Sequence, residues 1–294
     1  MRKYLSLSVL LFLATLAWGQ ASADQRSVSE KGYEYINYTN NQGPHPQKGD
    51  YAYYHAQIRN GDTILFSSRA IADNIPNIKI GDAEAQGEDR SPVEDVLLQL
   101  AVGDSVTIFL PLDNETGTLP GFDEAEFMPY DVVLLEIKDE RAYQMHLAEA
   151  EKVKKRVRAR EPLIKAKVEQ VAAQYAEGKL ADQLIETPTG LTYLIHQVGD
   201  GPKPPVNELV NVHYYGALLD GTPFDNSFKR GTPFVFELGA GQVIKGWDEG
   251  IALLNKGGAA TLFIPAELAY GAKGAPPVIP PNAKLIFYVE VIQD

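Results

Sequence analysis

The chain predicts an α+β fold made of two copies of one strand-rich unit joined by a long helix. Three observations carry this expectation. Short segments of alternating apolar and polar residues surround one brief helical stretch near the C-terminus, the two halves match each other without a gap over one stretch, and the middle segment is rich in helix formers.

Taking the elements in order, residues 208–218 alternate in a β-rich composition and read as a strand. Asp220-Gly221 is a turn signal, and Phe224 resumes the chain beyond it. Residues 233–238 alternate again. Trp247, Ile251 and Leu254 recur at helical spacing within 246–254, enough for one short helix lying on a sheet. Residues 260–265 and 285–292 supply two further strands.

The internal match lays residues 91–111 on 245–265, with Leu100/Leu254, Gly103/Gly257, Thr107/Thr261, Phe109/Phe263 and Pro111/Pro265 identical. At the same offset residues 131–137 fall on 285–291, and upstream Asn60-Gly61 stands where Asp220-Gly221 does. Residues 32–140 therefore read as a diverged copy of the C-terminal unit. That copy has Val93 in the place of Trp247, and either Phe66-Ser67 or Ile64-Leu65 in the place of Phe224-Asp225. Its acidic stretch 113–126 has no regular ligand spacing and reads as a solvated loop.

Between the copies, residues 138–184 have high helix propensity. Ala150, Val153, Val157, Ile164, Val168, Val171 and Tyr175 follow three-and-four spacing, which predicts one apolar face. Pro162 is expected to kink or break this helix, because proline lacks the N–H for one helical bond and crowds the preceding turn. Lys152, Lys154, Lys155, Arg156, Arg158 and Arg160 form a basic cluster, read as a solvated helix face.

Composition narrows the function classes. The 294 residues carry 39 acidic and 27 basic groups, a formal net charge of -12, which argues against nucleic acid as a partner. Without cysteine there are no disulfides, thiolate metal sites or thiol catalysis. The five histidines never approach a metal-binding spacing, and Gly239-Ala240-Gly241 lacks the third glycine of a dinucleotide loop. Met1-Arg2-Lys3 followed by the apolar run 5–18 reads as a signal peptide over residues 1–23, cleaved after Gly19 or Ala23. The expected location is outside the cytoplasm, in a bacterial periplasm.

One ordered series of motifs carries a family resemblance. Val212-His213-Tyr214-Tyr215-Gly216 is followed by Asp220-Gly221-Thr222-Pro223-Phe224-Asp225-Asn226-Ser227 and then by Pro233-Phe234-Val235-Phe236. Gln242-Val243-Ile244-Lys245-Gly246-Trp247, Ala269-Tyr270-Gly271, Ile279-Pro280-Pro281 and finally Phe287 complete it. Over residues 187–294 this resembles the FKBP-type peptidyl-prolyl cis-trans isomerases, and it implies an antiparallel sheet wrapped on a short helix. The implied partition is a degenerate FKBP-like domain at 32–140, a helical linker at 141–185 and an isomerase domain at 187–294. Some exported members of the family place such a stalk before the isomerase domain and dimerise, so the resemblance suggests a homodimer through the N-terminal domain or the helix.

The resemblance assigns pocket walls to Tyr214, Phe224, Phe234, Val243, Ile244 and Phe287, a floor to Trp247, and a rim to Tyr270 and Ile279. Asp225 would aim its carboxylate at the amide, held by Arg230, and the Tyr270 hydroxyl and Ile244 N–H would donate to the peptide. Asp225, Tyr270 and Trp247 are the implied catalytic set. Neither cofactor nor metal is implied, and rapamycin-type macrolides are implied ligands. Ala275 and Gln242 depart from the family's commoner histidine and acidic residue, which bears on the loop and not on the reaction. The implied substrates are X-Pro bonds of unfolded or exported proteins, whose folding the enzyme would assist. The rival class is a chaperone-like module that binds proline-containing segments with little turnover.

Overall fold

A computed structural model describes residues 26–293, apart from residues 62, 71–74, 82–84, 86, 88, 113–121, 123 and 124. The signal-peptide segment lies outside these residues, as does most of the acidic stretch 113–126. Among the described residues no helix is long and apolar enough to cross a membrane.

The N-terminal unit contains β1 (Ser27–Val28), β2 (Glu34–Asn37), β3 (Tyr51–Asn60), β4 (Thr63–Ser67), β5 (Asn77–Lys79), a short helix Pro92–Leu97, β6 (Ser105–Pro111) and β7 (Phe127–Lys138). A connector helix, Glu140–Ala176, follows. The C-terminal unit contains β8 (Ile185–Glu186), β9 (Thr192–Gln197), β10 (Leu209–Leu218), β11 (Pro223–Asn226), a one-turn helix Ser227–Arg230, β12 (Phe234–Glu237), a helix Lys245–Ala252, β13 (Ala259–Ile264) and β14 (Leu285–Val291).

Both units form seven-stranded antiparallel sheets. The orders are β1-β2-β6-β7-β3-β4 with β5 on β3, and β8-β9-β13-β14-β10-β11 with β12 on β10. Strand for strand these are one topology, so the expected α+β architecture of two copies joined by a long helix is borne out. Local chemistry repeats as well. Ser68 Oγ accepts the Ala56 N–H at 2.9 Å and meets His55 Nδ1 at 3.1 Å, while Ser227 Oγ accepts the Tyr214 N–H at 2.8 Å and meets His213 Nδ1 at 3.0 Å. Glu94 accepts the Gly81 N–H at 2.6 Å, as Asp248 accepts that of Gly239 at 2.8 Å.

Two details of the internal match are corrected by the register. Leu110 pairs with Met128 while its counterpart Ile264 pairs with Leu285, so the intervening connection is shorter in the first copy. The strand equivalent to 285–291 is therefore 128–134, and not 131–137, because a gapless overlay assumes equal connections. Likewise Ile58 pairs with Phe66 where Gly216 pairs with Asp225, each just before a bulge. Leu65-Phe66, not Phe66-Ser67 or Ile64-Leu65, replaces Phe224-Asp225.

The C-terminal sheet is buried on both faces, with alternate residues going to opposite sides. One face places Val210, Val212, Tyr214, Leu262, Ile264, Phe287 and Val289 against Trp247 and Ile251 of the short helix. That helix can approach because Gly246 and Gly250 face the sheet: a Cβ at either would lie 2.4 Å from Ile264 or 2.6 Å from Leu262. The other face places Tyr215, Ala217, Phe228, Phe263, Ile286 and Tyr288 against Ile164, Val168, Val171 and Ala172 of the connector helix. Its apolar stripe is thus used from Val157 onward, whereas Val153 is exposed. Pro162 sits inside one continuous helix rather than ending it. Proline forfeits only one backbone bond there, and the turn that follows is fixed by burial of Ile164 and Val168.

Burial of three histidines gives the fold a pH dependence. His196, against Thr261 Oγ1 at 2.7 Å and beside the Tyr288 ring, is pushed down to about 4 by burial and then by the Lys167 charge. His213 and His55 are lowered as well, mainly by burial. In the unfolded chain these imidazoles titrate near their ordinary value, ~6.5. The folded state then binds fewer protons than the unfolded state below that pH, so stability is full above about 6.5 and falls as pH drops toward about 4. Thermal melts should show a lower Tm at pH 5 than at pH 7.5, with a smaller difference in His196→Asn. A flat Tm across that range would overturn the assignment.

Candidate functional site

A concavity of the C-terminal unit lies between its sheet and the helix Lys245–Ala252, with a volume of about 710 Å³. Three local features shape it. Gly216 on β10 leaves room where a Cβ would lie 2.6 Å from Phe224 and 2.8 Å from Phe287, so these rings meet edge to face, 5.4 Å apart. The loop before the helix brings Val243 and Ile244 to the opening. The segment after β13 brings Ala269 and Tyr270 over it.

Trp247 is the buried centre of the aromatic set. Its ring lies 5.0 Å from Tyr214, 5.3 Å from Phe287 and 5.9 Å from Phe234, all edge to face, and 5.8 Å from Phe236. Edge-to-face pairs of this kind contribute roughly 0.5–1.5 kcal/mol each beyond burial. The indole Nε1 is buried without a hydrogen-bond partner among the described residues.

A polar triad closes one wall. Arg230 Nη1 donates to Asp225 Oδ1 at 2.8 Å, Arg230 Nη2 donates to the Tyr214 hydroxyl at 2.8 Å, and that hydroxyl donates to Asp225 Oδ2. Burial, then the Asp225 carboxylate, push the Tyr214 phenol up to about 12, so it stays protonated and keeps donating. Asp225 thus has both oxygens engaged while half its side chain stays exposed at the cavity. The Ile244 N–H and the Tyr270 hydroxyl have no hydrogen-bond partner among the described residues. Tyr270 is 41% exposed.

Tyr214, Phe224, Asp225, Phe234, Val243, Ile244, Trp247, Tyr270 and Phe287 are brought together around this cavity. Arg230 lies behind Asp225 rather than at the surface of the cavity. Ile279 is not among the residues that line the cavity, though it belongs to the same buried cluster as Trp247 and Phe287. Its N–H donates to the Ala275 carbonyl, and its own carbonyl accepts from Ala275, which draws it into the core with only 6% exposed. The cavity also takes in Gln242, Lys245, Asp248, Glu267 and Ala269, which the sequence reading had not placed there as pocket residues. Adjacency to Ile244, Trp247 and Tyr270 was the only signal for them. Gln242 has a structural task, since its Oε1 accepts the Glu237 N–H at 3.1 Å.

The equivalent place in the first copy is emptied of these groups. By the register and the shared hydrogen bonds, Ala56 stands for Tyr214, Leu65 for Phe224, Phe66 for Asp225, Pro76 for Phe234 and Tyr130 for Phe287. Val93 stands for Trp247.

Comparison with known proteins agrees with this geometry. Residues 201–292 match the family described as FKBP-type peptidyl-prolyl cis-trans isomerase. FK506-binding protein 1 of Dictyostelium discoideum is 54% identical over 103 residues, which cover 35% of this chain and 96% of the relative. A probable FKBP-type isomerase, FkpA, of Neisseria meningitidis is 38% identical over 173 residues, covering 58% of this chain and 63% of the relative, a little under two thirds of its length. The crystal structure of FkpA from Escherichia coli is 37% identical, covers 53% of this chain and 73% of that one, and superposes with a TM-score of 0.38.

Proposed function

The chain belongs to the FKBP-type peptidyl-prolyl cis-trans isomerases, and from that membership we propose that residues 187–294 contain the catalytic pocket, acting on X-Pro bonds of exported proteins as they fold. Rotation about a peptide bond costs ~18–20 kcal/mol because amide resonance must be broken. At X-Pro bonds the two isomers are close in energy yet exchange over tens of seconds or more. No bond is made or cut, so the catalyst needs only to hold the twisted amide more tightly than either planar form.

The single observation that carries the reading is an aromatic cavity with two free donors at its mouth. The proline ring sits on Trp247 between Tyr214, Phe234 and Phe287, the Ile244 N–H and Tyr270 hydroxyl hold the flanking peptide, and Asp225 faces the amide. Loss of resonance lowers the polarity of the carbonyl, so a dry aromatic wall favours the twisted form. The same pocket is proposed to take rapamycin-type macrolides, whose ring imitates a twisted prolyl amide. Asp225→Ala should keep the fold and lower kcat/KM on a short X-Pro peptide about tenfold, the order expected for one partly solvated charged contact. Rapamycin should compete with the peptide in the wild type. A wild-type rate in Asp225→Ala would remove the carboxylate from the mechanism.

The first copy, proposed at 32–140 as a degenerate domain, supports a second reading for itself alone. Its edge strand β4 exposes Ile64, Leu65 and Phe66 at 57%, 47% and 36%, at the positions where the other copy builds its pocket wall. An apolar edge with no prolyl pocket suits holding unfolded clients rather than turning them over. Export to a periplasm is proposed on the N-terminal basic and apolar pattern, and homodimerisation through the first copy or the connector on the likeness to stalk-bearing family members.

A further inference from the structure

The one-turn helix Ser227–Arg230, which supplies Arg230 to the triad, is held from behind by the connector helix. Phe228 is fully buried among Ile164 and its neighbours, with the Arg160 guanidinium 5.4 Å above its ring. Arg158 Nη2 donates to the Arg230 carbonyl at 3.3 Å while its Nη1 donates to Glu151 at 2.9 Å. Gly231, at φ 81°, passes directly beneath the helix, where a Cβ would lie 2.9 Å from the Lys154 carbonyl. The backbone of the residue that aims Asp225 and Tyr214 is thus fixed by a segment that lies before the isomerase motifs in sequence.

We infer that Arg158 is a positioning residue for the isomerase reaction, acting through Arg230 on Asp225 and Tyr214. The inference rests on the pocket reading above. A guanidinium suits the task because two of its nitrogens reach different acceptors at once, tying the turn to the helix at Glu151 and at Arg230. Tethering the Arg230 carbonyl limits rotation of the turn, so the Arg230 side chain keeps its fork on the Asp225 carboxylate and the Tyr214 hydroxyl. The geometry required by the twisted amide is then present before substrate arrives, which affects turnover more than ground-state binding.

A double-mutant cycle in the full chain separates this inference from the reading beneath it. Arg158→Ala should lower kcat on a short X-Pro peptide about three- to tenfold, as one charged hydrogen bond allows, with KM and Tm nearly unchanged. Lys155→Ala on the same helix should behave as wild type. In an Asp225→Ala background, Arg158→Ala should have no further effect, because both substitutions act on one carboxylate. Additive losses would overturn the inference by showing that Arg158 acts elsewhere. A wild-type kcat in Arg158→Ala beside a slow Asp225→Ala would overturn the brace alone, and a wild-type rate in Asp225→Ala would overturn the pocket reading with it. Trp18 and Trp247 are the two tryptophans, and Trp18 lies in the segment read as signal peptide. In the mature chain the emission of Trp247 should therefore shift in Arg158→Ala, and an unchanged spectrum together with unchanged kcat would end the proposal.

Discussion

A fragment of residues 187–294 should fail to fold stably, whereas residues 141–294 should fold and isomerise a short X-Pro peptide at the rate of the full chain. The first fragment holds every pocket residue, yet it lacks the helix that covers the outer face of its sheet. Tyr215, Phe228, Phe263 and Ile286 are fully or almost fully buried, and all belong to the cluster closed by Ile164, Val168 and Val171. Exposing a large apolar side chain costs roughly 1.5–3 kcal/mol. Four of them together reach the scale of a whole domain's stability, ~5–15 kcal/mol. Lys284 Nζ, which donates to the Tyr175 hydroxyl at 3.0 Å, and Glu290, which accepts from Arg160, would lose partners as well. Denaturant melts of the two fragments settle the matter. Matching midpoints would show that the connector is a mere spacer, and a folded, active 187–294 would sink the claim that it is half of the catalytic unit.

This packing also shows which parts of the molecule the sequence made legible. In the C-terminal unit β10, β12, β13, β14 and the short helix were readable because alternation and helical spacing record which side of an element is buried, and Trp247, Ile251 and Leu254 do face the sheet. Strands β8, β9 and β11 were not read. The pocket was readable because its residues lie in an ordered series of short motifs. Three further things were not. The setting of Ile279 depends on a backbone bridge to Ala275, which is invisible in side-chain pattern. Pro162 was expected to kink or break its helix because local preference takes no account of the burial that fixes the turn after it. The second apolar face of the sheet was missed because Tyr215, Phe263 and Tyr288 look like ordinary outward residues until a partner is known, and the partner, Ile164 to Ala172, lies far earlier in the chain than any of them.

Trp247→Ala should be the most damaging single substitution in the catalytic unit, and the first copy explains why. Removing a buried tryptophan leaves a cavity and costs ~3–5 kcal/mol, which corresponds to a Tm lower by roughly 10–20 °C. Four rings lose their common partner at once: Tyr214, Phe234, Phe236 and Phe287. Any loosening of Tyr214 propagates to Asp225 through the hydroxyl that donates to it, so catalysis should fall well beyond the loss of the proline seat alone. At the equivalent position the first copy carries Val93, packed against its core. A small residue is accommodated there because its surroundings shrank with it: Ala56 replaces Tyr214 and Pro76 replaces Phe234. Trp247→Val should therefore be nearly as harmful as Trp247→Ala, although valine serves the same fold elsewhere in the same chain. Trp247→Phe should be milder, since it keeps an aromatic ring and gives up an indole N–H that has no partner among the described residues. Calorimetry and peptide kinetics on the three variants test the order Ala and Val far below Phe. If Trp247→Val retains wild-type Tm and kcat/KM, the aromatic set is not the organising feature of the site and the floor must be sought elsewhere.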